Sequence, residues 1–369
     1  MSSQSPKVIL SGGGTGGHIF PAIAIADEIR AKRPDAKFLF VGAKGKMEME
    51  KVPEAGYKIK GLWISGLQRK LTLKNLSFPF KVISSLIKSR SILNSFKPDV
   101  VIGTGGFASG PMLRTAAAKG IPTLIQEQNS YAGITNKLLA KKVNKICVAY
   151  DGMEKFFPKE KIALTGNPVR SNVVDIQGKR EKAIEFFGLD PDKKTLLVVG
   201  GSLGSLVINK AIKSGLESLI ENDIQLIWQT GKTTYTSMSE AAAPFKDKGV
   251  HVHEFIKPMD LAYAAADVVI SRAGAIAVSE LCLVGKPIIL VPFPYAAEDH
   301  QKKNTEALVN HNAAIMVTDD EANEKLVSEA LSIFSNEKLA EKLAENITRL
   351  GIQDSASIIA NEALKLISS

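Results

Sequence analysis

Short runs of apolar, often β-branched residues alternate with helical patterns through the first half of the chain. Val8–Ser11, Phe38–Val41, Val100–Gly103, Thr123–Ile125, Lys145–Val148 and Ile162–Thr165 read as strands. Gly17–Arg33, Ser109–Lys119 and Ala132–Lys142 read as helices between them. Strands apolar on both faces and separated by helices predict a parallel sheet covered on both sides. The alternation pauses at Gly166-Asn-Pro168 and the polar run up to Lys194, so residues 169–193 read as a linker. It restarts at Thr195–Val199 and continues through Ile224–Trp228, Val250–Phe255, Asp267–Ile270, Pro287–Val291 and Ile315–Val317. A strand, a glycine-rich turn and a helix thus occur at Gly12–Gly17 and again at Gly200–Gly204. The expectation is an α/β protein of two similar domains, 1–168 and 194–350. Ligands of such sheets sit at the carboxyl ends of the strands, which points to the cleft between the domains. A last helix falls near Gln353–Ile367, in a tail of residues 351–369 that the pattern leaves unplaced.

A length of 369 residues with 45% hydrophobic content supports two packed cores and excludes intrinsic disorder. Cys147 and Cys282 are the only cysteines, which excludes a disulfide scaffold or a cysteine-based zinc site and fits a reducing compartment. No apolar run reaches 18 residues, and the first residues lack the apolar core of a secretory signal. The charge changes the picture more. Lys and Arg outnumber Asp and Glu by 47 to 38, and the whole excess lies between Ala55 and Pro98, with nine basic residues and no acid. The rest is close to neutral, which argues against a nucleic-acid partner. In the same stretch Leu76, Phe80, Ile83 and Ile87 recur at helical spacing, with Lys74, Lys81 and Lys88 seven residues apart. This is either a helix packed on its own domain with a solvated basic face, or a patch lying on an anionic bilayer.

The candidate chemistry sits in the glycine turns. Ser11-Gly-Gly-Gly-Thr-Gly-Gly-His18 follows a strand and opens a helix, where backbone N–H groups and the helix terminus favour a phosphate. Gly12, Gly14 and Gly17 also satisfy a dinucleotide fingerprint, but Phe38–Val41 ends in Gly42-Ala-Lys44 without the acid that would hold a ribose. A nicotinamide-dependent oxidoreductase is therefore the weaker alternative. Gly103-Thr-Gly-Gly106 forms a second anion-binding turn in the same half. In the second half Gly200-Gly-Ser202 follows a strand. Ser271-Arg-Ala-Gly-Ala275 opens a helix carrying Glu280, a carboxylate suited to two vicinal ribose hydroxyls. Arg272 and that helix terminus suit a diphosphate. His18, at a helix N-terminus, is expected to be neutral and fits a base, a positioning group or a structural cap. His251 and His253 alternate on a strand with no third ligand nearby, so no metal site is expected.

Taken in order, Gly13-Gly14-Thr15-Gly16-Gly17-His18, Gly105-Gly-Phe-Ala-Ser-Gly-Pro111, Glu127-Gln-Asn129, Gly166-Asn-Pro-Val-Arg170, Gly200-Gly-Ser202, Ser271-Arg-Ala-Gly-Ala275, Ser279-Glu280 and Asp299-His-Gln301 resemble the bacterial peptidoglycan N-acetylglucosaminyltransferases that convert lipid I to lipid II. The resemblance spans Val8 to Asn304 and implies a GT-B type fold of two Rossmann-like parallel-sheet domains. It implies UDP-GlcNAc as donor and inverting transfer to the C4 hydroxyl of MurNAc in undecaprenyl-diphosphate-MurNAc-pentapeptide. The place of action would be the cytoplasmic face of the cell membrane, bound peripherally. No cofactor is required by it, and stimulation by a divalent cation stays open. Carried over, donor contacts fall on Ser202, Ile256 (to uracil through its backbone), Arg272, Gly274, Ala275, Ile276, Ala277, Val278, Ser279, Glu280, His300 and Gln301, with Thr15, Gly16, Gly17, Asn129 and Arg170 also lining the site. Gly13, Gly14, Gly105 and Gly106 would hold the acceptor diphosphate. His18 is the leading base and Glu127 the reserve.

Four positions depart from the family pattern: Gln126 replaces a usual His, Leu203 a Gln and Ala277 a Thr, and Lys302-Lys303 follow Asp-His-Gln. A nucleotide-sugar epimerase of the same architecture would need neither a lipid acceptor nor the basic apolar patch.

Overall fold

The computed structural model describes residues 5–66, 77–201 and 203–368. They form two compact units, one taking the chain up to Val169 and again from Gln353, the other spanning Arg170–Ile352.

Unit 1 holds strands β1 (Lys7–Gly12), β2 (Lys37–Ala43), β3 (Ile59–Leu62), β4 (Val100–Gly105), β5 (Thr123–Glu127), β6 (Lys145–Val148) and β7 (Ile162–Leu164). They pair in parallel in the order β3-β2-β1-β4-β5-β6-β7. Val8, Ile9 and Leu10 on β1 and Val100, Val101 and Ile102 on β4 are fully buried, as expected of strands covered on both faces. The strand order reverses between β1 and β4, so both glycine turns of this unit leave neighbouring carboxyl ends at the switch point. Their backbones touch there. A Cβ on Gly106, whose φ is +84°, would run into the carbonyl of Gly13.

The C-terminal helix Ser355–Ser368 belongs to this unit. Its Ile359, Ala360 and Ala363 join Val8, Leu10, Ile25 and Ile29 in one core cluster, and Lys145 Nζ lies 3.3 Å from Glu362. Strand β3 and the helix Glu48–Glu54 escape the sequence pattern. Lys60 and Gly61 dilute the short apolar run, and Pro53 lies inside the helix. The helix read as Ala132–Lys142 is shorter, Ile134–Leu139.

Unit 2 holds β8 (Lys194–Val199), β9 (Ile224–Gln229), β10 (Val250–His253), β11 (Val268–Ser271), β12 (Ile288–Leu290) and β13 (Ile315–Met316), all parallel, in the order β10-β9-β8-β11-β12-β13. Its switch point lies between β8 and β11, whose ends carry the turns Gly200–Gly204 and Arg272–Gly274.

The stretch read as a linker, 169–193, is folded into this unit. It forms helices Ser171–Val174 and Arg180–Phe187, with Ala183 and Phe187 buried. Arg180 donates to the carbonyl of Ala265 at 3.0 Å and to Asp267 at 3.1 Å. Lys179 pairs with Asp260 at 3.0 Å in the same way, while Glu181, Lys182 and Glu185 stay in solvent.

The helix Phe78–Phe96 carries apolar side chains outward as well as inward. Ser85, Ser89, Ile92 and Leu93 face the unit, whereas Phe80, Ile83 and Ile87 are 68%, 57% and 66% exposed. An amphipathic surface helix of a soluble domain keeps its outer face polar. Lys81 folds back onto Ser65 Oγ at 2.9 Å, and Lys88 is exposed. Lys74 and Leu76 lie outside the described residues. Among the described residues no helix is long and apolar enough to cross a membrane.

On β10, His251 and His253 are half-buried, and each has an Nε2 without a hydrogen-bond partner. Burial pushes both rings below the usual histidine range, helped by Lys246 for His251 and by His251 for His253. Lowered in the folded state, they bind protons more readily when unfolded. Stability is therefore complete above the ordinary histidine pKa of about 6.5 and lost as pH falls below it. Urea midpoints at neutral and mildly acidic pH should differ, and His251→Phe with His253→Phe should shrink that difference; an unchanged difference refutes the assignment.

Candidate active site

In unit 1 the site is built on the ends of β1, β4 and β5. Thr15, extended at φ −146°, caps the helix Gly16–Lys32, and its carbonyl accepts from the N–H groups of His18 at 3.1 Å and Ile19 at 3.2 Å. Gly16 and Gly17 open that helix, and His18, half-buried, follows them. Its carbonyl accepts from Thr104 Oγ1 at 2.7 Å. Its ring lies on Gly105, where an added Cβ would come within 2.8 Å of the imidazole.

Gln128 holds the His18 ring at Nδ1. Nδ1 lies 3.0 Å from Gln128 Oε1. The Gln128 amide NH₂ faces acceptors only: the Thr104 carbonyl at 2.8 Å, the Gln126 carbonyl at 3.1 Å, and Gln126 Oε1. Gln126 Nε2 in turn donates to Asn167 Oδ1 at 2.8 Å, and Asn167 Nδ2 to the Gln128 carbonyl at 2.9 Å. Since Gln128 presents its oxygen to the ring, and an amide oxygen only accepts, the network assigns the proton to Nδ1 and the lone pair to Nε2. Gln126, the departure from the family pattern, is thus a buried member of this network. Neither Gln126 nor Gln128 could be tied to His18 from sequence, because strand spacing does not reveal a partner 110 residues away.

Glu127 does not serve as a reserve base. It is 2% exposed, and both carboxylate oxygens are occupied. Oε1 accepts from the N–H of Asn129 at 3.1 Å and its Nδ2 at 3.3 Å; Oε2 accepts from the N–H of Gly133 at 3.0 Å and Asn136 Nδ2 at 2.8 Å. Its chemistry is that of a buried anchor for the loop running into the helix Ile134–Leu139.

The assignment of Gly13 and Gly14 to a phosphate also needs correction. Glu48, 1% exposed, accepts from the N–H of Gly14 at 2.9 Å and of Ala43 at 2.8 Å. A carboxylate under the loop takes that N–H and repels an anion there. The hydrogen bonds of Glu48 go to Gly14 and Ala43 and none to Gly105 or Gly106 on the other turn, which packs against Gly13. Nothing in the run Lys44-Gly-Lys-Met-Glu48 distinguishes that acid by sequence.

In unit 2 the helix Ala275–Val284 starts at the end of β11, with Gly274 extended at its N-cap. Ala275, Ile276 and Ala277 present its first-turn backbone, whereas the N–H of Val278 already donates to the Gly274 carbonyl at 2.9 Å. Ser279 Oγ donates back to the Ala275 carbonyl at 3.1 Å. Glu280 is buried, and burial raises its carboxyl above the usual range against the opposing pull of Arg170, whose Nη2 lies 3.6 Å away. Arg170 itself is largely exposed. The N–H of Ile256 is spent on Gln229 Oε1 at 2.8 Å, so a uracil contact would fall to its carbonyl.

At the end of β12, Gln301 Oε1 accepts from the N–H of Phe293 at 2.9 Å, which makes its NH₂ the group that can donate to a ligand. His300 Nδ1 lies 2.7 Å from the Ala297 carbonyl. Glu298 and Asp299, with φ of +55° and +56°, hold two consecutive non-glycine residues in the left-handed region just before this pair. Strain of that kind concentrates at ligand-binding loops. Ser202 lies outside the described residues.

Arg272 is the largest departure from the sequence reading, which aimed it at a diphosphate. Its guanidinium pairs with Asp319 at 2.5 Å, and donates to the carbonyls of Val291 at 3.1 Å and Pro292 at 3.2 Å and to Ser205 Oγ at 2.6 Å. It joins the ends of β11 and β12, the loop after β13, and the cap of the helix Leu206–Ser214. Its charge is already balanced by a carboxylate. Among the described residues no group of three or more His, Cys, Asp or Glu side chains gathers as a metal site.

Two family models match the chain: the glycosyltransferase family 28 N-terminal domain over residues 8–148 and the C-terminal domain of the same family over residues 195–360. The chain belongs to glycosyltransferase family 28. A relative from Bacteroides thetaiotaomicron is 56% identical over 362 residues, covering 98% of this chain and 97% of its own; one from Flavobacterium psychrophilum is 54% identical over 364 residues, covering 98% of each. Both are named UDP-N-acetylglucosamine--N-acetylmuramyl-(pentapeptide) pyrophosphoryl-undecaprenol N-acetylglucosamine transferase. The crystal structure of Acinetobacter baumannii MurG superposes with a TM-score of 0.81 at 26% identity, over 98% of this chain and 99% of that one. These matches bear out the family resemblance and the GT-B fold. A UDP-GlcNAc 2-epimerase from Neisseria meningitidis has a TM-score of 0.66 at 15% identity over 98% of this chain and all of its own, a likeness of fold alone. The epimerase alternative is thereby not favoured.

Proposed function

We propose that this family 28 enzyme moves GlcNAc from UDP-GlcNAc to the C4 hydroxyl of MurNAc in undecaprenyl-diphosphate-MurNAc-pentapeptide, forming lipid II at the cytoplasmic face of the membrane. The full-length relatives carry the reaction class. The observation that supports the chemistry is the approach of Gln128 Oε1 to His18 Nδ1, from which the proton is assigned to Nδ1 and the lone pair to Nε2. The acceptor alcohol attacks the anomeric carbon as its proton passes to His18, the C–O bond to UDP breaks with inversion, and the departing diphosphate gathers negative charge. The backbone N–H groups of Ala275, Ile276 and Ala277 at the helix N-terminus face that charge in this reading. Gln301 donates to sugar hydroxyls through its NH₂.

Glu280 accepts from the two ribose hydroxyls. Its burial means that an unmade bond is felt: Glu280→Ala should weaken UDP by about 1–3 kcal/mol in calorimetry. Affinity equal to the parent's would remove the ribose assignment.

The outward apolar face of the helix Phe78–Phe96, with the basic stretch around it, docks on an anionic bilayer. Each basic residue near such a surface contributes about 1 kcal/mol, screened by salt. Charge reversal at Lys74, Lys81 and Lys88 together should release the protein from anionic vesicles while turnover of a short-chain, water-soluble acceptor survives. Vesicle binding that persists in the variant and ignores salt would refute the electrostatic part.

A further inference from the structure

We infer that a cavity in unit 1 beside the Gly103–Gly106 turn receives the first isoprenoid units of the acceptor's polyprenyl chain, an inference that rests on the transfer reaction proposed above. The cavity measures about 390 Å³. Val82 and Leu86 from the helix Phe78–Phe96 form one wall, and Pro111, Leu139 and Ile64 form others. Among the described residues Arg114 and Lys142 are the charged ones that line it, both cationic and both exposed.

An apolar interior with cations alone among its charged groups selects an amphiphile with an apolar chain and an anionic head. Position then chooses among amphiphiles. Phe107, which lines the cavity, follows directly on Gly105 and Gly106. A diphosphate on that turn therefore has its ester oxygen, and the chain attached to it, at the cavity mouth. Glu48 disfavours an anion at the neighbouring Gly14, which leaves this turn as the diphosphate seat in unit 1. The volume lies near the lower end of that of small-ligand pockets, about 300–1,000 Å³, so it takes only the start of a long chain. The remainder has an exit that is itself apolar. Leu138, a lining residue, is 73% exposed, and Ile83 and Ile87 lie outward on the helix that supplies Val82 and Leu86. Substrate chain and bilayer thus meet on one face, and a chain drawn from the membrane passes to the turn without crossing water.

The test fills the cavity without touching the His18 network or unit 2, using Val82→Trp and Thr135→Phe in the full chain. Two acceptors are compared in detergent-free solution: the same diphospho-MurNAc-pentapeptide headgroup carrying either a farnesyl-length chain or a methyl ester. The parent protein should prefer the prenylated acceptor in kcat/KM by at least about tenfold, from burial of the chain's methylenes. Each variant should lose that preference, with turnover of the methyl ester, the KM for UDP-GlcNAc and vesicle binding unchanged. A preference that survives in both variants, or an equal loss on both acceptors, overturns the inference. So does a loss that tracks release from vesicles, which would mean that the cavity takes bilayer lipid. If the parent transfers to neither acceptor, the transferase reading falls first and takes this inference with it.

Discussion

Replacing His18 by alanine is expected to lower kcat by at least about a hundredfold while UDP affinity stays at the parent's value. The acceptor is an ordinary alcohol that does not ionise at neutral pH, so its proton must leave as the new bond forms. A positioned base contributes about 10²–10⁴-fold to such a step. His18 meets the chemical requirement because Gln128 holds the proton on Nδ1 and leaves Nε2 as the accepting atom. That assignment has its own signature. Gln128→Glu would place a carboxylate against Nδ1–H, favour the imidazolium and raise the histidine pKa, so the acid limb of the kcat profile should move to higher pH. Gln128→Leu removes the tautomer preference and should lower kcat without moving KM for UDP-GlcNAc. Near-normal kcat in His18→Ala would end the base assignment. Since Glu127 has both oxygens occupied, the role would then pass to the substrate itself.

The fold was legible because its signals are local. Fully apolar strands such as Val100–Ile102 can only be interior to a doubly covered sheet, and glycine turns after β1, β4 and β8 announce strand ends that face a ligand. The partners of the site's charged groups were not legible, because they are set by contacts distant in the chain. Arg272 reads as a diphosphate ligand when only its neighbours Ala273 and Gly274 are seen; its meaning changes once Asp319, 47 residues on, is beside it. Glu127 reads as a free carboxylate until Gly133 and Asn136 turn back on it. Glu48 carries no signal at all, although it shapes the first glycine loop. The helix Phe78–Phe96 shows the opposite limit. Periodicity detected its apolar row, but only packing shows that Phe80, Ile83 and Ile87 lie outward while Ser85, Ser89, Ile92 and Leu93 lie inward.

Arg272→Ala should therefore act first on stability, at a cost on the order of 3 kcal/mol. Its guanidinium and the Asp319 carboxylate are 13% and 17% exposed, and removing one leaves the other charge poorly solvated. Asp319 would face the carbonyls of Val291 and Pro292, which offer an anion nothing, and Ser205 would lose the donor that steadies its cap. The double variant Arg272→Met, Asp319→Leu removes both charges and should recover much of the loss, because the pair's gain in attraction barely exceeds the cost of desolvating it. Thermal and urea unfolding of the two single variants and the double form a cycle that isolates the pairwise coupling. UDP binding, measured well below every midpoint, decides what remains for the ligand. A guanidinium already balanced by a carboxylate has little field left for a diphosphate, so affinity in the double variant should stay within a few-fold of the parent's. If Arg272→Ala instead unfolds like the parent and loses UDP binding, the guanidinium leaves Asp319 for the ligand, and the clamp described here is not its working state.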